Sequence, residues 1–186
     1  FMEKQPTRVY LVDDHPALRQ GLSLVLEHYG MLVCAEAESA REAMENIASL
    51  AMDLAVVDLS FERDEGFDLI SMLREHAIPA IVYSMHEEAN VIRKALEIGA
   101  SGYVTKREAS GPLLDAVRAV LGGSRFLSPR ASKALDEAMP IHTLTGQQDK
   151  IYRLMGQGLT NEEIARQLGI SVRTLESYCV RIMDKL

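Results

Sequence analysis

The chain has 186 residues, long for one small domain and comfortable for two. Hydrophobic residues make up 47% and charged residues 25%, a globular composition, and no apolar run approaches the roughly 18–20 residues of a membrane span. The net charge of −7 is uneven: up to Arg125 there are 20 acidic and 12 basic residues, and beyond it 7 and 8, so only the second part tolerates nucleic acid.

Strand and helix signals alternate from the start. Arg8-Val-Tyr-Leu-Val12 is a strand-sized apolar run that ends in Asp13-Asp14. A helix follows with Leu18, Leu22, Val25, Leu26 and Tyr29 on one face, closed by Gly30. A second strand fits Met31 to Ala37, and Ser39 with Glu42 reads as a capping box for a helix carrying Ala43, Ile47 and Leu50. Leu54-Ala-Val-Val57, apolar throughout, reads as a strand buried on both faces. A helix around Phe67 to Leu73 leads to a fourth strand, Pro79 to Tyr83, and a helix from Glu87 to Ile98 closed by Gly99. Gly102-Tyr-Val104 and a helix from Leu113 to Leu121 complete five strand–helix units, which predict a doubly wound five-stranded parallel sheet over residues 7–122.

Residues 123–142 read as a linker, in which Ser128-Pro129 starts a short helix to Ala138 and Pro140 ends it. The rest, 143–186, is all helical. Thr145 caps a helix to about Met155, Thr160 and Glu163 form a capping box, Gly169 breaks the chain, and Ser171 caps the last helix. Cys34 and Cys179 are far apart, without metal-ligand spacing, and read as reduced thiols.

In a parallel doubly wound sheet the residues that follow the strands share one edge, where ligands bind. That edge gathers Asp13-Asp14, Asp58, Ser84 and Thr105-Lys106. Any one of these acids alone is more simply a solvated turn or a cap; matching positions at several strand ends point to a site. Three crowded carboxylates call for opposing charge, which Lys106 and a hard divalent cation such as Mg²⁺ supply. Such a set suits phosphoryl transfer, with an Asp as covalent nucleophile.

With these residues in place, positions 8 to 122 resemble a response-regulator receiver domain, and the run Lys94-Ala-Leu-Glu-Ile-Gly-Ala-Ser-Gly-Tyr-Val-Thr-Lys106 is similar to the NarL/FixJ subfamily. The resemblance implies that Asp58 accepts a phosphoryl group from a histidine kinase. It implies that Asp14, Asp58 and the Ser60 backbone carbonyl ligate Mg²⁺, with Asp13 acting through water. Ser84 and Lys106 would then hold phosphoryl oxygens, and Tyr103 would turn inward as Ser84 moves. The chain departs from the family in carrying Phe61-Glu62 where Met-Pro is usual, while Gly66 keeps its spacing from Asp58. His86 reads as an exposed residue at a helix start.

Residues 143 to 186 resemble the LuxR-type helix-turn-helix, on Leu144-Thr145, Gly158-Leu-Thr-Asn-Glu-Glu-Ile-Ala165, Leu168-Gly-Ile-Ser171, Thr174-Leu175, Ile182 and Lys185-Leu186. In the last helix Leu175, Cys179, Ile182 and Leu186 share the core stripe. Arg173, Glu176, Ser177 and Val180 share the opposite one and would enter the major groove of double-stranded DNA. Arg181 and Lys185, with Lys150 and Arg166, are phosphate-contact candidates. Glu176 and Tyr178 replace the Lys and His common in the family and predict modest affinity. The resemblance also implies one more helix after Lys185-Leu186, which this sequence does not contain.

The expectation is a cytoplasmic, non-enzymatic transcription regulator with no membrane contact, which dimerises when phosphorylated. Three rivals stand beside it: a phosphorylation-independent regulator, a protein-interaction module with the same fold, and a metal-dependent phosphatase.

Overall fold

A computed structural model describes residues 5–61, 64–138 and 145–183. It divides into two compact units, Phe1–Glu137 and Ala138–Leu186.

In the first unit, strands β1 (Arg8–Val12), β2 (Leu32–Ala37), β3 (Leu54–Val57), β4 (Ala80–Ser84) and β5 (Gly102–Thr105) alternate with helices α1 (Pro16–His28), α2 (Ala40–Asn46), α3 (Glu65–Glu75), α4 (Ala89–Ile98) and α5 (Gly111–Leu121). The sheet is parallel, in the order β2-β1-β3-β4-β5-β6. The sixth strand, Phe126–Leu127, corrects the expectation of five, and α6 (Pro129–Glu137) follows it. A two-residue strand is too short to show periodicity, so this part of the sequence reads as linker. It is instead held on the sheet, because Phe126 and Leu127 pair with Gly102 and Tyr103.

Side chains alternate across the sheet and both faces are buried, which explains the unbroken apolar runs. Val9 and Leu11 pack on Leu22 and Leu26 of α1 and Val117 of α5. Tyr10 and Val12 face the other way, onto Ala43 of α2 and Leu69 and Leu73 of α3. A third cluster joins Ile70, Val82, Ile92, Tyr103 and Ala131, binding α3, α4 and α6 to β4 and β5.

Two local expectations are revised. Tyr29 is not on the buried face of α1; it follows the helix, half-exposed, with the Arg118 guanidinium 5.9 Å from its ring. At α2, Ser39 accepts from the Glu42 amide as expected, but the Glu42 carboxylate returns to the Glu38 amide, one residue early.

The second unit contains α7 (Gly146–Gly156), α8 (Asn161–Leu168) and α9 (Val172–Met183). Thr145 with Gln148 and Thr160 with Glu163 form complete capping boxes, so two orphan amides are satisfied at each start. Gly169, at φ +66°, adopts the left-handed turn that ends α8. Ile151, Leu154, Ile164, Ala165, Leu175 and Ile182 make the core. Among the described residues, no helix is long and apolar enough to cross a membrane.

Candidate functional site

The strand order reverses between β1 and β3, and their carboxyl ends open a crevice there. Val12 pairs with Val57, so the next residues, Asp13 and Asp58, come side by side, and the Asp58 amide donates to the Val12 carbonyl at 2.9 Å. Lys106 leaves β5 on the far side of β4, held by its amide on the Ser84 carbonyl at 2.8 Å. Its ammonium lies 2.6 Å from Asp13 Oδ2 and 2.8 Å from Asp58 Oδ2.

The three side chains are almost wholly buried. Burial pushes the Lys106 pKa down, but hydrogen bonds to Asp13 and Asp58 outweigh it and hold the pKa above the ordinary lysine value. Asp58 Oδ1 accepts from the Leu59 amide at 2.7 Å and from the Ser60 hydroxyl at 3.1 Å. Asp14 is exposed and lies 2.7 Å from His15 Nδ1. Gly66 lets α3 approach this loop, since a Cβ there would lie 3.2 Å from the Asp58 carbonyl oxygen and the Leu59 Cα.

One ligand atom from each of Asp13, Asp14, His15 and Asp58 falls within 4.8 Å of the others. Three carboxylates against one ammonium leave an excess of negative charge, and hard oxygen donors suit a divalent cation.

Ser84 is fully buried, and its Oγ accepts from the His86 amide at 3.2 Å. Tyr103 is fully buried as well, its hydroxyl donating to the His86 carbonyl at 2.8 Å. Burial raises the phenol pKa, so it stays neutral. His86 is therefore not at a helix start: α4 begins at Ala89, and the His86 main chain links Ser84 to Tyr103. The Phe61 ring is half-buried, while Glu62 lies outside the described residues.

Arg19 carries no motif signal, yet it braces the acidic loop. It is buried, donates to the Asp13 carbonyl, and pairs with Glu36 at 3.2 Å and Glu38 at 2.9 Å. The available signal is helical phase: Arg19 falls on the buried stripe of Leu22 and Leu26.

In the second unit α9 separates its faces as its periodicity requires. Leu175 and Ile182 are buried, while Arg173, Glu176, Ser177, Val180 and Arg181 are exposed. Lys185 and Leu186 lie outside the described residues. Ser171 caps the helix through the Thr174 amide at 3.1 Å. Arg173, Ser177 and Arg181 line one shallow concavity together with Thr174 and Tyr178, two residues that the charge pattern does not single out as contacts.

Comparison with known proteins agrees with both halves. Residues 9–118 match the response regulator receiver domain, and residues 142–186 match the bacterial regulatory proteins of the luxR family. A putative transcriptional regulator of Pseudomonas aeruginosa is 31% identical over 97% of this chain and 91% of its own length. The nitrate/nitrite response regulator protein NarP of Escherichia coli is 30% identical over 99% and 90%. The solved RcsB response regulator of Salmonella typhimurium, described for conformational dynamism in DNA interaction, has a TM-score of 0.70 at 26% identity, over 98% of this chain and 93% of that one. The chain thus belongs to the NarL/FixJ-type response regulators, transcriptional regulators that join a receiver domain to a LuxR-type DNA-binding domain.

Proposed function

We propose that this regulator is switched by phosphorylation of Asp58 by a histidine kinase in the cytoplasm, and that the modified form dimerises and binds double-stranded DNA through α9. The observation that carries the reading is the setting of Asp58. One of its oxygens is held by an amide and a hydroxyl and the other by Lys106, at the carboxyl edge of the sheet.

In the transfer, an Asp58 oxygen forms the bond to phosphorus as the bond to the donor histidine nitrogen breaks. The imidazole leaves with its electron pair and takes up a proton from solvent. Catalysis of this kind is positioning and charge neutralisation. Lys106 supplies one positive charge, and with Ser84 would hold phosphoryl oxygens. Asp14, Asp58 and the Ser60 carbonyl would hold Mg²⁺ directly and Asp13 through water; the ion would neutralise the developing charge. Arg19 keeps the Asp13 loop in place through its carbonyl. The chain is a switch rather than an enzyme with external substrates; self-dephosphorylation is slow.

Arg173, Glu176, Ser177 and Val180 would face base edges, and Arg181 and Lys185 the phosphates.

The test is intact mass after incubation with Mg²⁺ and a small phosphodonor, for wild type and Asp58→Asn, with size-exclusion chromatography of the same samples. One added phosphoryl group in wild type alone, with a shift towards dimer, is expected. No labelling under conditions that label other receivers overturns the reading in favour of a phosphorylation-independent regulator.

A further inference from the structure

The residues between the two matched segments hold α6 against the switch residues. Neither the match over 9–118 nor that over 142–186 includes Phe126–Glu137. Yet Leu127, Ala131, Ala134 and Leu135 pack in the same cluster as Tyr103, Val82 and Ile92, so α6 helps to cover the Tyr103 ring.

Polar contacts anchor the start of this helix to the loops that follow β4 and β5, the strands that end at Ser84 and just before Lys106. Arg130 makes a two-pronged ion pair with Glu87, Nε to Oε1 at 2.6 Å and Nη2 to Oε2 at 2.9 Å. Glu87 lies three residues beyond Ser84. The Arg130 amide donates to Glu108 at 3.0 Å, and Glu108 accepts from the Thr105 hydroxyl at 3.2 Å. Ser128, fully buried, accepts from the amides of Thr105 at 3.3 Å and Ala131 at 3.4 Å. Thr105 immediately precedes Lys106. An exposed ion pair is usually worth little, but a bidentate fork on a partly buried carboxylate is the favourable exception.

We infer that α6 is a lid on Tyr103, latched by Arg130 and Glu87, and that docking of this lid and phosphoryl binding at Asp58 reinforce each other. The inference rests on the reading of Asp58 as phosphoryl acceptor. The inward Tyr103, the Ser84–His86 turn and the docked α6 form one packed arrangement, so what favours one part favours the others. Arg130 is a positioning residue, acting through Glu87. Coupling is reciprocal at equilibrium: if an occupied phosphoryl site tightens the lid, the lid tightens the site by the same factor.

The experiment uses the full chain with beryllofluoride and Mg²⁺ as a non-covalent phosphoryl mimic. Binding is followed by ¹⁹F NMR, and lid docking by hydrogen exchange of amides 130–137. In wild type, beryllofluoride should slow exchange in 130–137. Arg130→Ala should weaken beryllofluoride binding about fivefold, a typical coupling factor. Arg130→Lys, which keeps charge but loses the fork, should fall between. Unchanged exchange in β1 and β3 shows that the variants are folded; Glu87→Gln, which breaks the latch from the other side, should match Arg130→Ala. Beryllofluoride binding to wild type with no change in 130–137, or binding unaffected by both latch variants, overturns the inference alone. No beryllofluoride binding to wild type overturns the Asp58 reading, and the inference with it.

Discussion

The acidic edge of the first unit and the α9 face of the second both concentrate charge, in opposite ways. Asp13, Asp58 and Lys106 are buried and come from three strands far apart in sequence. Arg173, Glu176 and Arg181 are exposed and come from three turns of one helix. Buried charges interact through little solvent, so their protonation, partners and removal cost are tightly coupled. Exposed charges on a helix are each screened by water and salt, and act nearly independently. The first arrangement suits an all-or-none chemical event, and the second a graded attraction to a polyanion.

Removing the central cation is the most direct way to break this contrast. Lys106→Ala leaves Asp13 and Asp58 buried without their counter-charge, and should destabilise the first unit by about 4 kcal/mol. Urea denaturation followed through amides of β1 and β3 measures this, and a divalent cation should recover part of the loss. A cost near zero would mean that the edge is effectively solvated.

In the second unit the large effects should be apolar. Leu175→Ala removes a fully buried core side chain and should cost about 3 kcal/mol, read from hydrogen exchange in α7–α9. Thr160→Ala loses the N-cap oxygen of α8 and one side of its capping box, and should cost about 1 kcal/mol by the same measurement.

The surface charges should matter for DNA and barely for folding. Arg181→Ala should leave stability unchanged and lower the salt dependence of DNA binding by about one counterion. A salt titration on mixed-sequence DNA checks this; a loss confined to one sequence would assign Arg181 to base reading instead.

The smallest expected effect is a pH dependence. The hydrogen bond from Arg130 holds the Glu87 pKa below its ordinary 4.5. A lowered folded-state pKa stabilises above the unfolded value and is lost as pH falls through the folded one. Glu87→Gln should therefore destabilise at neutral pH, and the difference from wild type should shrink and then vanish as pH falls below the ordinary 4.5 and through the lowered folded-state pKa. A difference that persists in acid would assign the effect to packing rather than charge.

What could be read in advance follows from the range of the physics. Periodicity, caps and turn glycines act over three to eight residues, and so the first five strands, the helix caps at Thr145 and Thr160 and the buried stripe of α9 are legible from neighbouring residues alone. The convergence of Asp13, Asp58, Ser84 and Lys106 is legible one step further on, because parallel strands carry their following residues to a common edge. Sequence by itself determined the element types, the two-part organisation and the identity of the clustered groups. Tertiary structure alone decided that Phe126–Leu127 joins the sheet, that Tyr103 is covered, and that Arg130 reaches Glu87 across 43 residues. Each of these depends on a long-range pairing with no local periodic signature, and its energy exists only once the sheet has brought distant segments together.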